Sequence, residues 1–257
     1  LQSPERALKG TEAAAVAAKM GLKVILVEMA DRILKRVAAS ETSNYFRDLH
    51  KARKVDLREG VGLKSLIGNN KVSGALLTDG TELNVDFVIC GIGINPNTDL
   101  AEKSGLKVDN GIETNIFGET SDSNIWAAGD CANLLFKGKR IRLESVQNAI
   151  DQAECVAENI MGGAKEYKPN PWFWSDQYST KLQIAGLNIG YDKIITRAEN
   201  EETVSFWYFK NEELLAVDAM NDPRSYMVGK RLIEMGISPD LKAVGDKNFN
   251  LKLLLKP

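Results

Sequence analysis

The stretch Thr120–Asn133, TSDSNIWAAGDCAN, decides the fold. Its polar start predicts a turn, and Ile125–Ala128 predicts a short buried strand that ends at Gly129-Asp130 and runs into a helical region. A carboxylate just past the carboxyl end of a strand lies where open α/β sheets bind their ligands. Gly129 lets backbone approach a ligand without a Cβ, and Asp130 can accept hydrogen bonds from hydroxyl groups. The stretch predicts a ligand site, or alternatively a strand-end turn in which Asp130 caps the next helix.

A second α/β pattern lies near the start of the chain. Gly10–Met20, GTEAAAVAAKM, predicts an alanine-rich helix, and residues 24–27 predict a strand that ends in Glu28. Helix, turn, strand and acid form the second half of a dinucleotide-binding βαβ unit, in which the acid hydrogen-bonds the adenosine ribose. A negative charge there repels a 2′-phosphate, which favours NADH over NADPH. The alternative is an exposed carboxylate at a strand end.

The first half of that unit departs from the dinucleotide-binding pattern. Residues 2–9, QSPERALK, stand where an apolar strand and a G-x-G-x-x-G loop are expected. Only Gly10 remains, at the position of the last glycine, where it allows tight contact between helix and sheet. We therefore expect the pyrophosphate cradle of backbone N–H groups to be lost or altered.

The middle of the chain predicts a helix, a meander and a glycine-terminated strand. Ser40 is expected to cap a helix that runs to Ala52 and places Phe46 in the core. Turn residues at 68–70 and 79–80 predict a three-stranded antiparallel meander. Phe87–Cys90 predicts a buried strand, and the following Gly91 would let a cofactor lie against bare backbone. Arg32 and Arg36 are expected one helical turn apart.

The last third predicts a long helix followed by a small antiparallel sheet. The helix begins near Ser145 and stops at Gly162. PWFWSDQY, residues 171–178, is expected to be extended, with two tryptophans on one face. An indole there can pack on an aromatic cofactor, or alternatively fill an apolar seam between domains. Four alternating strands then lead to a helix that Asp222 caps.

Composition excludes several classes of protein. The 257 residues are 44% hydrophobic and carry a net charge of -2, which argues against a binder of nucleic-acid phosphates. No apolar run reaches the ~18 residues of a membrane span. The cysteines at 90, 131 and 155 form no CxxC pair, and His50 is the only histidine, so we expect no metal site and a structural His50. Isolated thiols fit a cytoplasmic protein.

Three of these segments together resemble one family. TSDSNIWAAGDCAN resembles the second flavin-contacting segment of the FAD-dependent pyridine nucleotide-disulfide oxidoreductase superfamily. RIRLESVQNAIDQA, residues 140–153, and PWFWSDQY resemble the NADH-dependent reductases of small iron–sulfur proteins, of the putidaredoxin, rhodocoxin and rubredoxin reductase type. The resemblance covers Gly10 to near the C-terminus, and an N-terminal FAD-binding βαβ unit is absent. The chain therefore resembles the C-terminal portion of such a reductase.

The resemblance implies an α/β fold. It consists of Rossmann-like FAD- and NAD(P)-binding sheets with a three-stranded β-meander, plus a small C-terminal α+β domain. The expected domains are 1–95 for NADH binding, 96–168 for the C-terminal part of the FAD domain, and 169–257 for the reductase C-terminal domain.

The implied cofactors are FAD and NADH, with the ribityl chain of the flavin beside Asp130 and the start of the long helix near the flavin pyrimidine. No catalytic acid or base is expected, since hydride transfer depends on ring stacking. The expected cofactor-binding residues are Glu12, Glu28, Arg36, Gly91, Gly129, Asp130, Val146 and Trp174.

The implied activity is transfer of hydride from NADH to FAD and of single electrons to an iron–sulfur carrier, ferredoxin-like or rubredoxin. The partners are therefore this carrier and NADH, without nucleic acid or membrane. Alternatives are a non-catalytic NADH- and FAD-binding protein like the apoptosis-inducing-factor relatives, a disulfide or peroxide reductase, or an inactive truncation. A basic docking face is expected at Lys181, Arg224, Lys230 and Arg231.

Overall fold

The computed structural model describes residues 5–256, with side chains from Leu8 onward. Contacts within the backbone divide the chain into two compact units. The smaller unit contains Gly93–Phe173, and the larger unit combines Ala7–Ile92 with the residues from Trp174 onward. Within residues 5–256, every helix is too short or too polar to cross a membrane. The three domain ranges expected from the sequence stay a prediction.

The larger unit begins with two helix–strand pairs. Its elements are α1 (Glu5–Lys19), β1 (Ile25–Glu28), α2 (Ser40–Ala52) and β2 (Asp56–Glu59). The two strands pair in parallel, so that Glu28 lies opposite Glu59 at their carboxyl ends. A helix that connects parallel strands is the predicted α/β arrangement.

The start of α2 differs from the prediction in one detail. Ala39, not Ser40, precedes the first helical turn, and its methyl side chain makes no capping hydrogen bond. Ser40 is the first helical residue, and its hydroxyl donates to the Glu41 carboxylate instead. Phe46 is fully buried, as predicted.

The segment between β1 and α2 forms a chain of turns rather than the predicted helix. Leu34 has a φ of 58°, in the left-handed region, which breaks a right-handed helix between Arg32 and Arg36. The Arg32 guanidinium donates to the carbonyl of Ala39 and to the hydroxyl of Ser43. Arg32 therefore braces the start of α2, while Arg36 is exposed.

The predicted three-stranded meander is confirmed. Its strands are β3 (Leu63–Gly68), β4 (Val72–Leu77) and β5 (Glu82–Asn84). They pair antiparallel in the order β3-β4-β5. Gly68 has a φ of 145° and Gly80 a φ of 87°, which are the backbone conformations that the two turns require.

The predicted buried strand Phe87–Cys90 is wrong. This segment is irregular, and its apolar side chains are exposed, Phe87 at 57% and Ile89 at 62%. A strand needs a neighbour to accept and donate its backbone hydrogen bonds, and within residues 5–256 no strand pairs with this segment. The apolar pattern is present, but the pairing that would make it a strand is not formed by the described residues.

The smaller unit contains short strands and one long helix. Its elements are α3 (Asp99–Lys103), β6 (Ile112–Glu113), β7 (Ala132–Phe136), β8 (Lys139–Ile141) and α4 (Val146–Ile160). β7 lies between a parallel β6 and an antiparallel β8. The helix α4 begins and ends where the sequence predicts.

The predicted strand Ile125–Ala128 is wrong, and so is the helical region after it. Only Trp126 is paired, in a single bridge with Glu119. Gly129–Cys131 forms one 3-10 turn, and the chain continues directly into β7. Ala127 and Gly129 are buried nonetheless, because the segment packs against α4 rather than beside another strand.

The C-terminal part of the larger unit is a five-stranded antiparallel sheet with helices. Its elements are β9 (Trp172–Gln177), β10 (Thr180–Gly186), β11 (Lys193–Ala198), β12 (Val204–Lys210), β13 (Glu213–Met220), α5 (Pro223–Met235) and α6 (Leu241–Gly245). The strand order is β11-β12-β13-β10-β9. α5 begins as predicted, because the Asp222 carboxylate accepts from the N–H of Ser225. Its core packs Trp207, Val217 and Leu232 together.

Candidate functional site

The turn at Gly129-Asp130 presents a carboxylate to solvent in the smaller unit. Gly129 has a φ of 79°, a left-handed conformation that favours glycine. Asp130 follows in the 3-10 turn and is exposed. Within the described residues its carboxylate forms no hydrogen bond and no ion pair. The turn therefore leaves both carboxylate oxygens of Asp130 available to a ligand.

Two buried side chains hold the backbone of this turn. The N–H of Gly129 donates to Oε1 of Gln152 on α4 at 2.9 Å. Nη1 of Arg142 donates to the carbonyl of Asp130 at 2.8 Å. The sequence analysis did not single out either residue, although both lie in the segment RIRLESVQNAIDQA.

The start of α4 is capped and braced. The Ser145 hydroxyl accepts from the N–H of Asn148 at 3.1 Å. The amide of Asn148 in turn accepts from the hydroxyl of Tyr167 at 2.8 Å. Burial, with smaller effects of Asp151 and Cys155, raises the pKa of Tyr167 far above its usual range, so this hydroxyl stays a donor.

The first residue of α4, Val146, is 64% exposed. The first N–H groups of a helix have no acceptor within it, and the helix dipole places partial positive charge there. An exposed helix start of this kind favours negative charge or hydrogen-bond acceptors on a ligand. Gln152 connects this helix to the turn of Asp130, so the structure brings Gly129, Asp130 and the helix of Val146 together.

Glu28 lies at the end of β1 beside a second carboxylate. Its Oε1 accepts from the N–H of Ala30 at 2.8 Å. The neighbouring Glu59 is held by the Arg47 guanidinium through bonds of 2.8 and 3.0 Å. Burial raises the pKa of Glu59 but the bonds from Arg47 and Ile33 outweigh it, so the pKa is lowered and Glu59 is ionised. Arg47 compensates Glu59, whereas Glu28 forms no ion pair with any described residue.

Gly91 lies against the backbone of α1 at Gly10, two residues before Glu12 on that helix. A Cβ added to Gly91 would stand 3.3 Å from the backbone nitrogen of Gly10, so glycine permits this close approach. Gly10 takes part in this approach through its backbone, but a Cβ at Gly10 would meet none of the described atoms within 4 Å. Glu12 follows two residues later, and its carboxylate lies 3.3 Å from Nζ of Lys9.

Arg36 lies in the turns before α2 and is exposed. The roles of Glu12, Glu28, Arg36 and Gly91 toward a nucleotide stay predictions.

Trp174 projects from β9 on the face opposite a buried polar network. Its side chain is 40% exposed, while Ser175 and Gln177 on the other face are fully buried. The Gln177 amide donates to the hydroxyl of Thr11 on α1 at 2.9 Å and accepts from Nε2 of His50 on α2 at 2.9 Å. His50 is thus structural, as predicted, and β9 is anchored to α1 and α2.

No group of histidine, cysteine, aspartate or glutamate within residues 5–256 has the arrangement of a metal site. The three cysteines are free thiols, with Cys90 exposed, Cys131 half-buried and Cys155 buried. Burial, followed by the nearby Asp130 charge, raises the pKa of Cys131, which keeps it protonated. The described residues therefore offer no thiolate pair for a disulfide relay.

Two parts of the chain match known protein families. Residues 8–153 match the pyridine nucleotide-disulphide oxidoreductase family, and residues 172–255 match the reductase C-terminal family. The chain belongs to the pyridine nucleotide-disulphide oxidoreductases. This agrees with the α/β fold and with the Gly129-Asp130 turn described above.

Two individual proteins of known activity are similar to almost the whole of this chain. Rhodocoxin reductase of Rhodococcus erythropolis is 40% identical over 252 residues, which are 96% of this chain and 58% of that protein. Putidaredoxin reductase of Pseudomonas putida is 38% identical over 252 residues, 96% of this chain and 60% of that protein. The chain thus spans about three fifths of the length of these relatives.

Solved structures agree with this similarity. A ferredoxin reductase from Rhodopseudomonas palustris has a TM-score of 0.90 and 37% identity, covering 93% of this chain and 60% of that one. The covalent putidaredoxin reductase–putidaredoxin complex gives a TM-score of 0.90 and 38% identity, covering 94% of this chain and 60% of that one.

Proposed function

We propose that this chain is part of a flavoprotein reductase that transfers hydride from NADH to FAD and then single electrons to an iron–sulfur carrier, a 2Fe–2S ferredoxin or a rubredoxin-type protein. The observation that carries the proposal is the similarity over 252 residues to rhodocoxin and putidaredoxin reductases, at 40% and 38% identity. This similarity extends through the C-terminal segment that contains Trp174. We also propose a cytoplasmic location.

The residues of the smaller unit fit a flavin. FAD carries a ribityl chain with hydroxyl donors, and the exposed Asp130 carboxylate can accept from them because no described side chain uses it. Gly129 leaves the backbone bare beside that carboxylate. Val146 stands at the capped start of α4, where partial positive charge favours electron density on a flavin pyrimidine.

The larger unit supplies groups that fit NADH. Glu28 is a carboxylate at a strand end without a compensating cation, which suits ribose hydroxyls and opposes a 2′-phosphate. Gly91 offers bare backbone, and Glu12 and Arg36 offer charged groups. Trp174 presents an indole face that is 40% exposed and can pack against the isoalloxazine ring of the flavin.

The residues of this chain would contribute to the reaction by binding and orienting the two cofactors. FAD, when bound, accepts a hydride and can release the two electrons one at a time. Hydride transfer requires the donor and acceptor rings to be held in register, so the protein needs no acid or base at the reacting atoms. The residues of this chain would therefore act by placing the two cofactors and by excluding water.

The test is a spectrum and an assay on the protein expressed from its complete reading frame. We expect a yellow protein whose flavin absorbance bleaches when NADH is added without oxygen, and which reduces a 2Fe–2S ferredoxin with NADH. A colourless protein would contradict the proposal. Tight, stoichiometric NADH binding without turnover on any iron–sulfur carrier would favour the non-catalytic alternative.

A further inference from the structure

The turn of Asp130 is fastened by side chains from two later elements of the smaller unit. Gln152 comes from the second turn of α4, and Arg142 directly follows β8. Both side chains are buried, with exposures of 1% for each residue. They reach the peptide groups at the two ends of the Gly129-Asp130 pair: Gln152 binds the N–H of Gly129, and Arg142 binds the carbonyl of Asp130.

The bond from Gly129 to Gln152 fixes the entry to the turn. Ala128 is extended and Gly129 is left-handed, with a φ of 79°, so the chain reverses at this peptide. A Cβ at Gly129 would lie 3.4 Å from the Cβ of Ala149, which shows how closely the turn packs on α4. The Gln152 amide is the acceptor for an N–H group that would otherwise be buried without one.

The bond from Arg142 fixes the exit from the turn. The Arg142 guanidinium also lies 2.7 Å from Oε1 of Glu144, and this carboxylate compensates its charge in the interior. Gly111 makes room for the arginine, since a Cβ there would approach the Arg142 Cδ to 2.6 Å. Nε and Nη2 of Arg142 are buried away from solvent and have no hydrogen-bond partner among the described residues.

These contacts hold the backbone around Asp130 and leave its carboxylate available to a ligand. Because the peptide before Gly129 and the peptide after Asp130 are both held, the directions open to the Cα–Cβ bond of Asp130 are restricted before any ligand arrives. Holding a charged group in its binding geometry reduces the entropy lost on binding. We propose that Gln152 and Arg142 are positioning residues that aim the Asp130 carboxylate at the hydroxyl groups of the flavin ribityl chain. This inference depends on the proposed flavin site at Asp130.

The experiment is a double-mutant cycle in the protein expressed from its complete reading frame. The variants are Asp130→Ala, Gln152→Leu and their combination, with Gln152→Glu as the conservative variant because a carboxylate can still accept from Gly129. The control is Glu154→Ala, an exposed position on the same helix. FAD is the probe, its dissociation constant is measured on the apoprotein by fluorescence, and the melting temperature of the apoprotein is recorded in parallel.

We expect Gln152→Leu to weaken FAD binding by about tenfold, because a carboxylate that is no longer aimed loses its hydrogen bond to the ribityl chain, and a hydrogen bond to a charged group contributes about that factor. In the Asp130→Ala background the same substitution should have little further effect, since there is no carboxylate left to aim. Gln152→Glu and Glu154→Ala should bind FAD nearly as the parent protein does. A merely structural Gln152 would lower the melting temperature and weaken FAD binding equally in both backgrounds.

An additive cycle would overturn the inference while leaving the flavin site at Asp130 intact. If Asp130→Ala leaves FAD affinity unchanged, the proposed flavin site itself fails, and the inference fails with it. Should Gln152→Leu not fold, the same cycle with Arg142→Lys decides the question, because lysine keeps the charge beside Glu144 but lacks the planar guanidinium.

Discussion

Asp218 is a fully buried carboxylate in the larger unit. Its Oδ2 accepts hydrogen bonds from the hydroxyls of Thr42, at 2.7 Å, and of Tyr208, while Oδ1 has no partner among the described residues. Burial raises its pKa to about 6, although both hydroxyl bonds act in the opposite direction. The carboxyl group connects the start of α2 to the C-terminal sheet, because Thr42 lies on α2 and Tyr208 on β12.

This pKa predicts a dependence of stability on pH. The pKa in the folded state exceeds the ordinary value of 3.8, so between those values the folded state holds the proton that the unfolded state releases. The free energy of unfolding should therefore fall as pH rises from about 4 to about 6, by an amount on the order of 3 kcal/mol.

Asp218→Asn isolates this contribution. An asparagine amide keeps the acceptor for both hydroxyls and carries no charge, so its stability relative to the parent should rise between pH 4 and 6 and then stay constant. Urea unfolding at pH 4.5, 5.5, 6.5 and 7.5 measures the difference, with pH values chosen about this pKa. A stability difference that does not change with pH would show that Asp218 does not titrate in this range.

Glu28 makes a prediction about the choice between NADH and NADPH. Replacing Glu28 with serine removes a negative charge near the expected 2′-position, and replacing it with arginine reverses that charge. We expect the ratio of kcat/KM for NADPH to that for NADH to rise by about tenfold with serine and further with arginine, since an exposed charge at ~4 Å contributes ~1 to 4 kcal/mol.

The control for Glu28 is Glu82→Ser, which removes an equal charge from the exposed β5 strand of the same unit. This variant should leave the coenzyme ratio unchanged. An unaltered preference in the Glu28 variants would refute the assignment of Glu28 to the adenosine ribose.

At the scale of elements, β9 is the strand that connects the C-terminal sheet to the two N-terminal helices. The amide of Gln177 donates to the hydroxyls of Thr11 and Ser175, which fixes its orientation and makes its oxygen the acceptor for His50. His50 Nε2 therefore carries the proton and Nδ1 accepts from the hydroxyl of Tyr178. Burial lowers the pKa of His50, against a smaller opposing effect of Gln177, so the ring is neutral.

Gln177→Leu should destabilise the larger unit by about 2 to 4 kcal/mol, because His50 and Thr11 would lose a buried hydrogen-bond partner. Asp176→Asn is the matched control, since residue 176 lies on the exposed face of the same strand. The free energy of unfolding from urea titration measures both. Equal stability of the two variants would contradict the role of Gln177 as the anchor of β9.

At the scale of the whole molecule, the expected docking surface for an iron–sulfur carrier consists of Lys181, Arg224, Lys230 and Arg231. Lys181, Arg224 and Arg231 are exposed and Lys230 is half-buried. Lys230 and Arg231 lie 3.9 and 3.6 Å from the Glu234 carboxylate, which offsets part of their charge. Arg224 and Lys181 should therefore contribute most to attraction of an acidic partner.

Reversing the charge at Lys181 and Arg224 with glutamate should slow ferredoxin reduction at low salt and flatten its dependence on ionic strength. The control is Lys64→Glu with Lys71→Glu, which changes net charge equally on exposed residues of the meander. The rate of ferredoxin reduction measured from low to high salt compares the two. If both double variants show the same salt dependence, the docking surface lies elsewhere on the protein.

Much of the fold was predictable because its signals are local. Asp222 and Ser145 cap their helices, and the turns of the meander require the glycines found there. Side chains alternate between the two faces of β9, so Trp174 was correctly placed on the face opposite the buried Phe173. Such features depend on residues a few positions apart, which a sequence displays directly.

The two wrong strands are segments whose structure depends on distant partners. Phe87–Cys90 and Ile125–Ala128 are apolar enough for strands, but a strand forms only where another strand supplies backbone hydrogen bonds. The hydrogen bonds that hold the turn of Asp130 were not predicted from the sequence, for a similar reason. Gln152 and Arg142 lie 22 and 12 residues from Asp130, and no periodicity shows that their side chains converge on one turn.

The sequence alone determined the family, the long helix α4 and the C-terminal antiparallel sheet, because short motifs and caps record local chemistry. It also predicted which groups would meet a flavin and a nicotinamide nucleotide. Only the tertiary structure decided which of those groups are free to act. Arg47 compensates the negative charge of Glu59, whereas no described cation compensates that of Glu28. Hydrogen bonds hold the backbone of the Asp130 turn, while the Asp130 carboxylate remains available to a ligand. Charge compensation and hydrogen bonding between distant residues exist only once the chain has folded.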